Sequence, residues 1–131
     1  MPFGYSLLSA TASEFLNTVG AFSGFTGVAL GAFGAHGLQR KLSVVPVVDA
    51  AQRMANWRTA ATYHLVHTLA MLSRTSSPVA GYLFGVGNLL FSGSIYLLVL
   101  DTQRKYSRLL GPVTPLGGLF YLAGWVAMLW C

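Results

Sequence analysis

The sequence predicts an all-α membrane fold: a bundle of four transmembrane helices with both chain ends on the same side. Three observations carry that prediction. Charged residues make up only 8% of the chain and hydrophobic residues 54%, whereas soluble domains carry about a quarter charged residues. The apolar residues fall into four runs, separated by short gaps that hold Pro46, Pro78, Pro112, Pro115 and most of the basic residues. Glycines recur at helical rather than turn spacing. Gly20, Gly24, Gly27, Gly31 and Gly34 follow at steps of four, three, four and three, which puts them on one stripe of a helix. A chain of 131 residues accommodates one such domain, residues 1–131.

The first helix is expected over about 12–36. Thr11 and Glu14 stand three apart before the apolar run, the spacing of a capping box with Thr11 as N-cap. Its length would be about 37 Å at 1.5 Å per residue, enough to span. Glycine weakens a helix in water, but lipid offers the backbone no other partner, so the helix forms and its bare stripe admits a neighbour closely. Gly37 suits a left-handed C-terminal position, with Arg40 and Lys41 just beyond it.

The second helix is expected near 50–73, after Pro46 and with Asp49 as its cap. Trp57 and Arg58 read as an interfacial anchor. The stretch beyond them is the most polar of the membrane runs, with Trp57, Ala60, His64, His67 and Met71 on one stripe. Ser77 followed by Pro78 starts the third helix, about 78–100. It carries Gly81, Gly85, Asn88 and Ser92 on a second small-residue stripe. Thr114 and Pro115 repeat that start for the fourth helix, about 115–131, where Gly117 and Gly124 stand seven apart and Trp125 and Trp130 suit the far interface.

With four spans, the 39–57 and 101–113 loops share one side. Counting the adjoining Arg58, they hold Arg40, Lys41, Arg53, Arg58, Arg104, Lys105 and Arg108, against Arg74 alone on the other. That bias places both loops inside, in cytoplasm or mitochondrial matrix. The same cations could bind phospholipid headgroups such as cardiolipin. Their position between apolar runs argues for lipid rather than nucleic acid as the partner of the +5 charge. Residues 1–13 contain no Lys or Arg, so no cleavable presequence is expected.

Four blocks in order, GAFGAHGL (31–38), W-x-T-A-x-x-Y-H-x-x-H (57–67), LFSGSIYLL (90–98) and TPLGGLFYLAGW (114–125), resemble one family. It is called transmembrane protein 256 in animals and domain of unknown function family 423 in bacteria. The resemblance covers about residues 20–130, leaving the N-terminal extension and the basic 103–108 segment outside it. It implies a small four-helix membrane protein, mitochondrial in eukaryotes, and supplies no reaction.

Chemistry would have to come from few residues. His64 and His67 share a helix face close to mid-membrane, where ionisable residues are functional candidates. Two haem ligands must approach opposite faces of the ring, so this pair cannot clamp one haem, although His36 could supply an opposing ligand. Structural zinc takes four ligands, and three histidines with a single Cys131 fall short. The plainer expectation is that the pair hydrogen-bonds across helices to Asn88, Ser92 or Tyr96. Glu14, Asp49 and Asp101 lie at expected helix ends as caps, so no catalytic, metal or cofactor set is expected. The function expected is that of a structural accessory subunit, not an enzyme. It would sit in a mitochondrial inner-membrane respiratory complex and pack through Gly20, Gly24, Gly27, Gly31, Gly34, Gly81, Gly85, Gly117 and Gly124. One glycine stripe would face partner subunits together with Phe84 and Phe91. A small transporter or channel, or a haem- or quinone-binding redox protein using His36, His64 and His67, are the alternatives.

Overall fold

The computed structural model describes residues 2–73 and 77–130, with side chains from Ala10 onward; Met1, the 74–76 segment with Arg74, and Cys131 lie outside the described residues. Four long helices account for most of it: α1 (Pro2–His36), α2 (Val47–Leu72), α3 (Pro78–Leu100) and α4 (Val113–Ala127). No strand occurs among the described residues. Short helical turns at Leu38–Lys41 and Leu42–Val44 follow α1, and another at Ser107–Leu110 precedes α4.

Among the described residues, three stretches are long and apolar enough to cross a membrane: Ala10–His36, Pro78–Leu100 and Ser107–Trp130. The expected span over 50–73 is not among them. Helix α2 is long enough, but Asp49, Gln52, Arg53, Asn56, Arg58 and two histidines dilute its apolar content.

Side-chain pairs fix how the helices run. Gly20 of α1 faces Leu72 of α2 while Gly34 faces Trp57, so α1 and α2 are antiparallel along their shared length. Asn88 reaches Thr68 and Ser92 reaches the Ala60 carbonyl, so α3 is antiparallel to α2. Gly124 meets Phe84 and Gly117 meets the Phe91 backbone, so α4 is antiparallel to α3. Helices α2 and α3 form the central pair, with α1 in the groove on one side and α4 against α3 on the other. Two apolar clusters fill the ends of the interior. One gathers Leu38, Leu42, Trp57, Ala60, Tyr96 and Val99, and the other Leu16, Met71, Ala80, Phe84 and Tyr121.

Several helix ends differ from expectation. Helix α1 runs back to Pro2, so Thr11 lies inside it rather than at its start. Gly37 has φ −96° and starts the next short helical turn instead of adopting a left-handed conformation. Helix α2 begins after Pro46, two residues before Asp49; the carboxylate pairs instead with Arg104 at 3.1 Å. Helix α4 begins at Val113, so Thr114 is already helical, and its hydroxyl bonds to Ser94 of α3. Only the Ser77–Pro78 start takes the expected form, with Ser77 Oγ accepting from the Ala80 N–H at 3.2 Å. Asp101 ends α3 and accepts from the N–H groups of Lys105 (3.0 Å) and Tyr106 (2.7 Å). That compact loop holds Arg104 at φ 54°, where few non-glycine residues sit.

The glycine stripes are spent inside the bundle. On α1, Gly20, Gly27 and Gly34 lie under Leu72, Leu65 and Trp57, so a Cβ at any of them would meet a side chain below 3.0 Å, while Gly24 leaves ordinary contact to Thr68 at 3.7 Å. Gly31 departs from the expectation: nothing lies within 4 Å of where its Cβ would be. On α3, Gly81 lies under Leu16 of α1, and a Cβ at Gly85 would stand 3.6 Å from Met71. Phe84, expected outward, is 0% exposed because it packs against Gly124. The idea that one stripe stays open for a partner is therefore corrected. The closest approach is at Gly117, where a Cβ would stand 2.7 Å from the Leu90 carbonyl carbon and the Phe91 Cα. There α3 makes one π-helical turn, Asn88–Ser92.

Candidate functional site

Between the two apolar clusters lies a layer of polar side chains contributed by all four helices. Ser23 stands on the glycine stripe of α1, three residues after Gly20 and four before Gly27, so it faces α2. Its hydroxyl is 3.0 Å from His64 Nε2 and 2.7 Å from Thr68 Oγ1. Asn88 of α3 donates its amide to Thr68 Oγ1 at 3.1 Å and more weakly to Ser23 Oγ at 3.4 Å. Its carbonyl accepts from the Tyr121 hydroxyl of α4 at 2.8 Å. Ser92 donates to the Ala60 carbonyl at 2.8 Å and lies 3.2 Å from the Tyr121 hydroxyl. His64 closes the layer through Nδ1, which is 3.2 Å from the Tyr96 hydroxyl.

Each link is modest, about 0.6 kcal/mol on average for hydrogen bonds between membrane helices. Leaving such a group unpaired in hydrocarbon costs several kcal/mol, and among the described residues no buried side-chain N or O lacks a partner. A π-turn interrupts α3 at this layer, and Asn88, Ser92 and Tyr96, spaced four apart, are all buried.

His67 belongs to a separate arrangement facing α4. Its Nδ1 lies 2.7 Å from the Tyr63 carbonyl and its Nε2 accepts from the Trp125 indole at 3.1 Å. A carbonyl only accepts and an indole only donates, so the proton sits on Nδ1 and both ring nitrogens are occupied. The ring also stacks on Tyr121, centroids 3.6 Å apart. Trp125, expected at the interface, is tied to the bundle by its indole although it stays exposed, as Trp130 does.

The histidines do not converge. His64 bonds toward α1 and α3, His67 toward α4, and His36 is exposed at the end of α1. No opposed pair for a haem results, and among the described residues no three His, Cys, Asp or Glu side chains come together to hold a metal ion. The expected partner Tyr96 does bond to His64. Asn88 and Ser92 bond to Thr68, Tyr121 and the Ala60 carbonyl instead.

Two residues assigned to the membrane surface are structural. Trp57 is 2% exposed. It lies between the tilted rings of Phe33 and Tyr96, with centroids at 5.4 and 4.6 Å, and donates to the Leu30 carbonyl at 2.8 Å. Gly34, one turn beyond Leu30, leaves that carbonyl uncovered. Arg53, expected at lipid headgroups, is only 9% exposed. One guanidinium nitrogen donates to the carbonyls of Leu98 (3.0 Å), Val99 (2.8 Å) and Asp101 (3.1 Å). It thereby caps the C-terminus of α3, where positive charge is favoured. Arg40, Lys41, Arg58, Arg104, Lys105 and Arg108 remain exposed, as the assignment to a headgroup region requires.

A cavity of about 420 Å³ opens between α1 and α3. Phe15, Phe22 and Leu89 are among its walls, and Ser23, His64, Asn88 and Tyr96 form its polar side. Among the described residues no charged side chain lines it. Spacing could have flagged Ser23 and Tyr121, which share stripes with Gly20 and Gly27 and with Gly117 and Gly124 respectively. No local signal marks Arg53 as a cap for a helix 45 residues away.

A family profile described as "Protein of unknown function (DUF423)" matches residues 30–118. A UPF0382 membrane protein of Schizosaccharomyces pombe is 41% identical over 118 residues, which is 85% of this chain and 95% of that protein. A UPF0382 membrane protein of Staphylococcus aureus is 40% identical over 119 residues, 85% of this chain and 88% of that one. The UPF0382 inner membrane protein YgdD of Escherichia coli K12 is 37% identical over 127 residues, 89% and 88% of the two chains. No solved structure matches.

Proposed function

The chain belongs to the DUF423/UPF0382 family of membrane proteins, and on that footing we propose that it crosses the membrane four times and serves there as a non-catalytic accessory subunit. The observation that carries this reading is where the polar side chains go. His64, Thr68, Asn88, Ser92 and Tyr121 bond to other helices of the same chain, so the interior is occupied by groups that hold the bundle together.

The same observation supports a fourth span. Helix α2 lies antiparallel to α1 from Leu72 beside Gly20 to Trp57 beside Gly34, about 21 Å at 1.5 Å per residue. Its low apolar content comes partly from residues it turns inward, Arg53, His64, His67 and Thr68, all buried. Val66 and Leu69 face outward in the same segment. A helix whose polar groups are shielded by its own bundle can occupy the bilayer without long apolar runs.

Partner contact then falls to the outer face of α1, where Phe22 and Phe25 are exposed, and to the basic loop end. For a eukaryotic chain of this family the proposed location is the mitochondrial inner membrane, within a respiratory assembly, with the basic loops in the matrix holding anionic lipid. The Escherichia coli relative, described as an inner membrane protein, supports a membrane of that kind. Blue-native electrophoresis in mild detergent is the test. Migration within an assembly of far higher mass is expected, with release by harsher detergent. Recovery only as a free monomer or small homo-oligomer contradicts the accessory role.

A further inference from the structure

We infer that the cavity between α1 and α3 binds a lipid quinone, held by a hydrogen bond between a ring oxygen and the Tyr96 hydroxyl. The chemistry of the lining narrows the occupant. Among the described residues no charged side chain borders the cavity, so a phosphate or carboxylate headgroup would find no counter-charge among them. The polar side is nonetheless real: Ser23, His64, Asn88 and Tyr96 meet at one place under apolar walls, the usual composition of a pocket for an apolar molecule with one or two oriented polar atoms.

Depth narrows it further. Ser23 lies thirteen residues before the end of α1 at His36, about 20 Å at 1.5 Å per residue, roughly half of a 40–45 Å bilayer. Phospholipids and sterols keep their oxygens at the headgroup level, so at this depth they offer only hydrocarbon. A quinone is neutral, dissolves in the bilayer interior and carries ring oxygens there. The aromatic ring of Phe22, beside Ser23 on α1, suits a planar ring.

Donor accounting shows how Tyr96 serves such an oxygen. The Tyr121 hydroxyl proton is committed to Asn88 Oδ1, which turns the Asn88 amide donors toward Thr68 and Ser23. The Ser23 proton then has two acceptors, His64 Nε2 and Thr68 Oγ1. When it goes to His64, the Nδ1–H of that ring donates to the Tyr96 oxygen, and the Tyr96 O–H is released to donate to a quinone carbonyl. When it goes to Thr68, His64 holds its proton on Nε2 and accepts from Tyr96, whose oxygen can accept from a quinol hydroxyl. Among the described residues His64 is the only hydrogen-bond partner of the Tyr96 hydroxyl, so the hydroxyl retains capacity for a ligand in either state. His64 is here a positioning residue.

The test uses the full-length protein in phosphatidylcholine nanodiscs titrated with decylubiquinone, read by tryptophan fluorescence. The Trp57 ring lies 4.6 Å from that of Tyr96, within quenching distance of a ring seated there. Saturable quenching is expected against a background of competing acyl chains. Tyr96→Phe should weaken it about tenfold, the upper range for one lost hydrogen bond. Gly93→Leu should abolish it by filling the cavity, since Gly93 lines the space and a Cβ there meets nothing closer than 3.7 Å. That variant has room to fold and keeps the test decisive should Tyr96→Phe lose structure by circular dichroism. Quenching that rises linearly with quinone content in all three proteins overturns the inference, as does saturable quenching unchanged in Gly93→Leu or in a folded Tyr96→Phe.

Discussion

Replacing Gly117 with alanine tests the packing of the bundle at its tightest point. The added methyl would lie 2.7 Å from the Leu90 carbonyl carbon and the Phe91 Cα, and these are backbone atoms that no rotamer change can move. To restore the 3.4 Å at which ordinary contact begins, α4 must shift away from α3. Overpacking of this kind costs about 1–3 kcal/mol. The shift also stretches the Tyr121–Asn88 and Ser94–Thr114 bonds on either side of Gly117, adding about 0.6 kcal/mol for each one lost. A loss of roughly 2–4 kcal/mol is therefore expected. Gly31→Ala is the matched control, because nothing stands within 4 Å of its Cβ position, and it should leave stability unchanged or raise it by up to about 1 kcal/mol through alanine's helix propensity. Reversible unfolding by dodecyl sulfate in mixed micelles, followed by circular dichroism, measures both. Equal behaviour of the two variants would refute the claim that Gly117 sets the α3–α4 distance.

Other perturbations address the polar groups. Arg53→Leu leaves the carbonyls of Leu98, Val99 and Asp101 without their guanidinium donor and should cost about 1–3 kcal/mol in the same unfolding assay. Arg53→Lys should recover only part of this, since an ammonium is a point donor; a neutral Arg53→Leu would return the residue to the lipid-facing set. His67→Leu removes the acceptor of the Trp125 indole and should destabilise by about 1–3 kcal/mol. His67→Gln, which keeps an acceptor and a donor, should cost less, and a reversed order would contradict the assigned hydrogen bonds.

What the sequence disclosed and what it hid follow one division. Period and composition depend on neighbours within a turn or two, so the helices, the α2 stripe from Trp57 to Met71 and the Ser77 cap are readable. The depth at which a residue sits depends on what another helix brings to it. Trp57 and Arg53 have the composition of an interface, yet both are buried because Gly34 uncovers a carbonyl for one and the end of α3 supplies carbonyls for the other. The glycine stripe on α1 was legible as a stripe, but only the positions opposite Leu72, Leu65 and Trp57 are close-packed. The π-turn at Asn88–Ser92 has no proline or run of polar residues to announce it; it appears where Gly117 presses on the α3 backbone. Helix α2 is the sharpest case, since the polar residues that lower its hydropathy are those the bundle conceals.

Whether α2 crosses the membrane is decided most directly by single cysteines on either side of it. Ser43→Cys, Ser77→Cys and Gln103→Cys, each in a chain also carrying Cys131→Ser, can be labelled in sealed vesicles with a membrane-impermeant maleimide. The four-span arrangement predicts that Ser43→Cys and Gln103→Cys react from one side and Ser77→Cys only from the other. Reaction of Ser43→Cys and Ser77→Cys from the same side would mean that α2 does not cross, and would contradict the account.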